Sequence, residues 1–107
     1  MSQYTCISIP QALELMEQGA VVADIRDPQS FASSHISNAI HLSNDNLEQV
    51  LSQLDFETPI IVCCYHGISS QNAAAFLVDR GFEQVTSLNG GFEEWRVSQP
   101  DKTESEE

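Results

Sequence analysis

Short apolar runs alternate along this chain with segments whose apolar residues recur every three or four positions. The runs at residues 6–8, 21–25, 39–42, 60–63 and 84–88 predict strands, and several are unbroken, as in strands covered on both faces. The periodic segments predict helices over 10–18, 28–34, 44–54, 69–80 and 90–97. The first is the most sharply bounded: Pro10 opens it, Ala12, Leu13, Leu15 and Met16 share a side, and Gly19 follows its end. In the third, Leu47, Val50, Leu51 and Leu54 keep helical spacing, and Gly81 closes the fourth. This alternation, free of internal repeats, predicts an α/β fold: a mostly parallel sheet of about five strands with helices on both faces.

Composition narrows the picture. A chain of 107 residues, 41% hydrophobic, suits one core. We place the domain at 1–98 and read 99–107, QPDKTESEE, as an acidic, solvated tail without the apolar groups that would order it. No apolar run approaches the roughly 18 residues of a membrane span, and the start, MSQYTCISIPQ, lacks the basic and apolar regions of a leader, so a cytoplasmic protein is expected. Sixteen acidic against four basic residues give a formal charge of -12, which argues against nucleic-acid or membrane partners. Any anion site must then be built from local dipoles. The three cysteines, Cys6, Cys63 and Cys64, are odd in number and two are adjacent, which fits neither a disulfide framework nor CxxC spacing, so reduced thiols are expected. His35 and His41 lack partners at metal-ligand spacing; structural hydrogen bonding is expected of them, and neither metal nor cofactor.

Candidate chemistry concentrates in PIIVCCYHGISSQNAAAFLVDRG, where an apolar strand runs into Cys64, then a loop with Gly67, then a helix. The carboxyl ends of strands line the ligand crevice in open α/β sheets, so Cys64 is the candidate nucleophile. The N–H groups of residues 65–70 should converge on its sulfur, lower its pKa and form a concavity for an anion. Tyr65, His66, Gly67, Ile68, Ser69 and Ser70 are the candidate substrate-binding residues through loop amides and side chains, with Ser69 and Ser70 as helix caps. Cys63, on the opposite face of the strand, is read as structural. For His66, substrate steering and a solvent-exposed spacer are both open. Asp24 and Arg26 share a strand face. Asp24 is read as structural, and Arg26 either as a cation on the site wall or as half of an ion pair with Asp27 or a neighbouring loop. Phe92 and Trp95, after Gly90 and Gly91, are expected to close the core beneath the loop.

Three blocks together resemble the rhodanese family in its single-domain form. They are VVADIRDPQSFASSHISNAIHL, through Asp24, Arg26, Phe31, His35, Ile36 and Ala39; the loop CYHGISS; and SLNGGFEEW, through Leu88, Gly90, Gly91 and Trp95. The resemblance spans residues 21–96 and implies a sulfurtransferase without cofactor. In such an enzyme Cys64 would take a sulfur from thiosulfate as a persulfide and pass it to cyanide or to a protein dithiol such as thioredoxin. The loop departs from many single-domain members in having Ser69 where they carry arginine and Gln71 where a basic residue often follows. A cysteine phosphatase would need an arginine at position 70, which is Ser70. The alternative from another class is a catalytically silent binding module, and thiol redox chemistry ranks last because Cys63 and Cys64 face opposite ways.

Overall fold

The computed structural model describes residues 3–106; Met1, Ser2 and Glu107, at the outer ends of the expected domain and tail, lie outside them. In chain order the elements are β1 (Thr5–Ile7), α1 (Ile9–Glu17), β2 (Val21–Asp24), α2 (Pro28–Ser33), β3 (His35–Ile36), β4 (Ile40–His41) and α3 (Leu47–Ser52). There follow β5 (Ile60–Cys63), α4 (Ser69–Asp79), β6 (Val85–Leu88), α5 (Gly91–Ser98), a short 3-10 turn (Pro100–Lys102) and β7 (Thr103–Glu104). Five strands form one sheet in the order β1-β6-β5-β2-β4, every neighbouring pair parallel.

Alternation along β5 divides the interior. Ile61 and Cys63 enter one core with Ala12 of α1 and Phe92 and Trp95 of α5. Ile60 and Val62 enter the other with Leu51 of α3 and Ala74 and Leu77 of α4. Helices therefore cover both faces, and all four residues of β5 are buried, which is why its sequence is an unbroken apolar run.

Local chemistry sets most boundaries. Ser8 caps α1 through a reciprocal box with Gln11, and Pro10 sits in the first turn, where a missing N–H costs nothing. Helix α3 is shorter than the expected 44–54. The Asn46 side chain accepts from the Ser43 N–H at 2.7 Å and donates to the His41 carbonyl at 2.8 Å, a local turn that competes with helix until Leu47.

The expectation of a solvated tail is corrected over residues 99–106. Strand β7 pairs antiparallel with β3, Lys102 O accepts from Ser37 N at 2.9 Å and from Trp95 Nε1 at 3.2 Å, and Glu106 N donates to Ala32 O at 2.9 Å. Hydrogen bonds to the backbone and to the indole, rather than apolar burial, hold this segment, so its composition gave no sign of it.

One ion pair is sealed between β2 and α5. Arg26 is 5% exposed and Asp24 0%. The Arg26 Nε lies 3.1 Å from both carboxylate oxygens and an Nη 2.8 Å from one, and that Nη also donates to Ser34 O at 2.6 Å. The guanidinium stacks 4.2 Å from the Phe92 ring. Removing one charge strands the other in a dry site. Asp24→Asn is therefore expected to lower the unfolding free energy by about 3–5 kcal/mol in urea titrations. The paired change Asp24→Leu with Arg26→Met should recover most of that loss.

Candidate active site

Strand β5 ends at Cys63, so Cys64 begins the loop at the carboxyl edge of the sheet, between β6 and β2. Its Sγ accepts the N–H of Gly67 and the N–H of Ser70, each at 3.2 Å. Ser70 lies in the first turn of α4, where amides have no partner within the helix. The sulfur thus does the work of an N-cap oxygen. The expected serine capping is corrected: the cap position is Ile68, without a side-chain cap bond, and Ser69 already belongs to the helix. The Ser70 hydroxyl instead meets the Ser87 hydroxyl at 2.7 Å, both residues 0% exposed. Ser87 was missed from sequence; its one signal is a serine inside the apolar run of β6.

Burial of Cys64, 3% exposed, works to raise its pKa. Hydrogen bonds from the Ser70 hydroxyl and from the amides of Ser70, Gly67 and His66 outweigh burial and carry the pKa below that of an ordinary thiol. Next to it, Cys63 has the opposite fate: burial, then the charge of Asp24, push its thiol well up. Cys63 lies in the core with Trp95. Of two adjacent cysteines, one has its pKa lowered and the other has its pKa raised.

A second helix start holds the loop from behind. Phe92 N donates to Cys64 O at 2.8 Å and Glu93 N to Tyr65 O at 3.1 Å, so amides of the first turn of α5 receive the loop's carbonyls. This approach requires glycine. A Cβ on Gly91, at φ 59°, would stand 2.5 Å from both carbonyl oxygens, and one on Gly67, at φ 84°, would stand 2.8 Å from Leu88 O.

The other candidate residues are placed as follows. Tyr65 is 38% exposed, and its hydroxyl donates to Asp27 and lies 2.8 Å from Ser30 Oγ. Asp27, bonded by Tyr65 and by the Ser30 amide and hydroxyl, is held down to about 2. His66 and Ile68 are exposed on the loop, Ser69 is exposed in the first turn of α4, and Gly67 is buried. Arg26 reaches the loop only through its guanidinium, 5.6 Å from the Tyr65 ring centre, and its charge is paired. Its ion-pair partner is Asp24 rather than Asp27, because the two residues share a strand face while Asp27 caps α2. His35 and His41 bond the carbonyls of Phe31 and Arg26 at 2.7 and 2.6 Å. Trp95 is fully buried.

A cysteine sulfur of lowered pKa in a cradle of amides, at the mouth of a central parallel strand, is an arrangement suited to nucleophilic, anion-handling chemistry. The rhodanese-like domain model matches residues 8–98, and the chain belongs to that family. Among curated relatives, "Thiosulfate sulfurtransferase GlpE" of Ectopseudomonas mendocina (strain ymp) is 54% identical, covering 96% of this chain and 94% of that protein. The protein of the same name from Pseudomonas entomophila (strain L48) is 50% identical with the same coverage. Among solved structures, the BH2092 protein from Bacillus halodurans superposes with a TM-score of 0.80 at 27% identity, over 95% of this chain and 77% of that one. The rhodanese-like domain of the Alr3790 protein from Anabaena sp. gives 0.81 at 23% identity, over 96% and 80%, and so shares the fold.

Two measurements test this geometry. The rate of Cys64 alkylation by iodoacetamide should rise with pH to a midpoint below the roughly 8.5 of a free thiol, and Ser70→Ala, which removes a donor to the thiolate, should move that midpoint upward. Gly91→Ala should cost about 1–3 kcal/mol in urea unfolding and raise the same midpoint, since the loop must retreat from α5.

Proposed function

We propose that this chain is a thiosulfate sulfurtransferase working by double displacement through a persulfide on Cys64. The observation that carries the reading is the Cys64 sulfur, buried yet bonded by two backbone amides at 3.2 Å. In the first step the thiolate attacks the outer sulfur of thiosulfate; an S–S bond forms to Cys64, the sulfur–sulfur bond of the donor breaks, and sulfite leaves with the electron pair. In the second, cyanide or the thiolate of a dithiol protein such as thioredoxin attacks the outer sulfur and returns Cys64 as a thiolate. The Cys64 side chain carries one negative charge on sulfur both as thiolate and as persulfide while sulfite leaves with its own two, and the amides of His66, Gly67 and Ser70 are the groups placed to stabilise that sulfur.

Tyr65, His66, Gly67, Ile68, Ser69 and Ser70 form the substrate-binding loop in this reading. Arg26 is assigned to holding the wall behind Tyr65, since its charge already faces Asp24. The catalytic domain is taken as 1–98, with 99–107 an acidic extension, in keeping with the family match to residue 98. A reaction that needs Cys64 reduced suits the cytoplasm, and among the described residues no helix is long and apolar enough to cross a membrane.

The test is intact-protein mass spectrometry after incubation with thiosulfate. Wild type and Cys63→Ala should gain about 32 Da, one sulfur, and lose it on addition of cyanide, whereas Cys64→Ser should gain nothing. No gain on wild type would return the chain to the class of silent binding modules, and a gain on Cys64→Ser would move the nucleophile elsewhere.

A further inference from the structure

Two fully buried hydroxyls, from different elements, meet next to the Cys64 sulfur. Ser87 is 0% exposed on β6, and its hydroxyl lies 2.7 Å from that of Ser70 at the start of α4. Val85, two positions earlier on the same face of β6, packs in the apolar core with Ala74 and Leu77. A serine on such a face gives up its bonds to water, so its hydroxyl needs a partner where a methyl would need none.

The sense of the hydrogen bond between the two serines follows from their surroundings. Each hydroxyl has one proton to donate. Ser70 is held against the sulfur by its own N–H, 3.2 Å from Sγ, and its hydroxyl also bonds Cys64. That hydroxyl therefore has two neighbours and one proton. Ser87 has one neighbour: among the described residues its hydroxyl bonds Ser70 and nothing else. If Ser70 donated to Ser87, the Ser87 proton would be left without an acceptor in a site closed to solvent, and the sulfur would lose a donor. An unsatisfied buried donor costs more than a hydrogen bond gains, so both losses weigh against that sense. In the opposite sense Ser87 donates to Ser70 Oγ, Ser70 donates to Sγ, and every proton has an acceptor.

We propose that Ser87 is a positioning residue for sulfur transfer, directing the Ser70 proton onto Cys64 Sγ and so stabilising Cys64 as an anion and as a leaving group. The proposal deepens the reading of Cys64 as the sulfur carrier and rests on it. Fully buried, Ser87 touches neither sulfur donor nor acceptor, and it acts through Ser70 alone.

Its effect falls unevenly on the two half-reactions. In discharge the acceptor bonds to the outer sulfur, the bond from that sulfur to Sγ breaks, and its electron pair returns to Sγ, where the Ser70 hydroxyl meets the charge. A leaving sulfur of lower pKa departs faster. In loading Sγ is the attacking atom, and a thiolate of lower pKa is the weaker nucleophile, which offsets its larger population. Loss of the Ser87 hydroxyl should therefore slow discharge and spare loading once the pH is high enough to ionise Cys64.

The test compares wild type, Ser87→Ala, Ser70→Ala and the double variant, with thermal melts to confirm folding; the double variant removes the pair together and leaves neither hydroxyl unpaired. Ser87→Ala should raise the midpoint of Cys64 alkylation by iodoacetamide by about 0.5 in pH. Above that midpoint it should load from thiosulfate within roughly twofold of the wild-type rate, while its single-turnover discharge to cyanide should slow roughly threefold. Added to Ser70→Ala, which offers no hydroxyl to direct, Ser87→Ala should change neither the midpoint nor the discharge rate further. A serine that only fills space would leave the midpoint in place, or would slow both half-reactions alike through a displaced loop. An unchanged midpoint, an equal loss in both half-reactions, or a further shift in the double variant overturns the role of Ser87 and leaves the persulfide reading standing. Failure of wild type to load overturns the persulfide reading and this role together.

Discussion

A sulfur that is almost fully buried and yet set up to carry negative charge is the demand around which the carboxyl edge of this sheet is organised. Burial by itself would keep Cys64 protonated, as it does Cys63 one residue earlier. The difference is supplied by amides and one hydroxyl, and each has to be held in place by something else. Ser87 on β6 fixes the Ser70 hydroxyl, the first turn of α4 presents the Ser70 amide, and Gly67 folds the loop tightly enough for its own N–H to reach the sulfur. Behind the loop, Phe92 and Glu93 bind the carbonyls of Cys64 and Tyr65, so the N-termini of two helices meet at a segment of two residues.

This solution fits the charge of the chain. Of four basic residues, Arg26, Arg80 and Arg96 are each paired with a carboxylate, at Asp24, Glu48 and Glu93. A molecule with a formal charge of -12 that handles an anion through side-chain cations would need more of them at the site. Peptide dipoles carry no net charge and act only at contact distance, so they serve one anion without changing the long-range field. The uncharged residues Ser69 and Gln71 at the start of α4 are consistent with that arrangement: Ser69 is exposed and Gln71 donates to the Gly67 carbonyl at 3.0 Å, bracing the loop.

Much of the fold was legible because its signals are local. An unbroken apolar run such as Ile60–Cys63 identifies a doubly covered strand, Ser8 with Gln11 and Pro10 starts a helix, and a cysteine directly after such a strand marks the crevice. What escaped depended on contacts between distant residues. Strands of two residues, β3 and β7, have no period to detect, and residues 99–106 are ordered by bonds to Ser37, Trp95 and Ala32, far from them in sequence.

The sequence by itself determined the α/β order, the parallel sheet, the identity of Cys64 as the candidate nucleophile and the separation of Cys63 from it, because periodicity and alternation act within a few residues. Only the tertiary structure decided which groups surround the sulfur. That Ser70 turns to Ser87 instead of capping its helix, that Arg26 closes on Asp24, and that Gly91 lets α5 approach the Cys64 carbonyl are outcomes of packing separate elements together. Hydrogen-bond partners are chosen by proximity in space, and neither residue type nor spacing along the chain encodes that proximity.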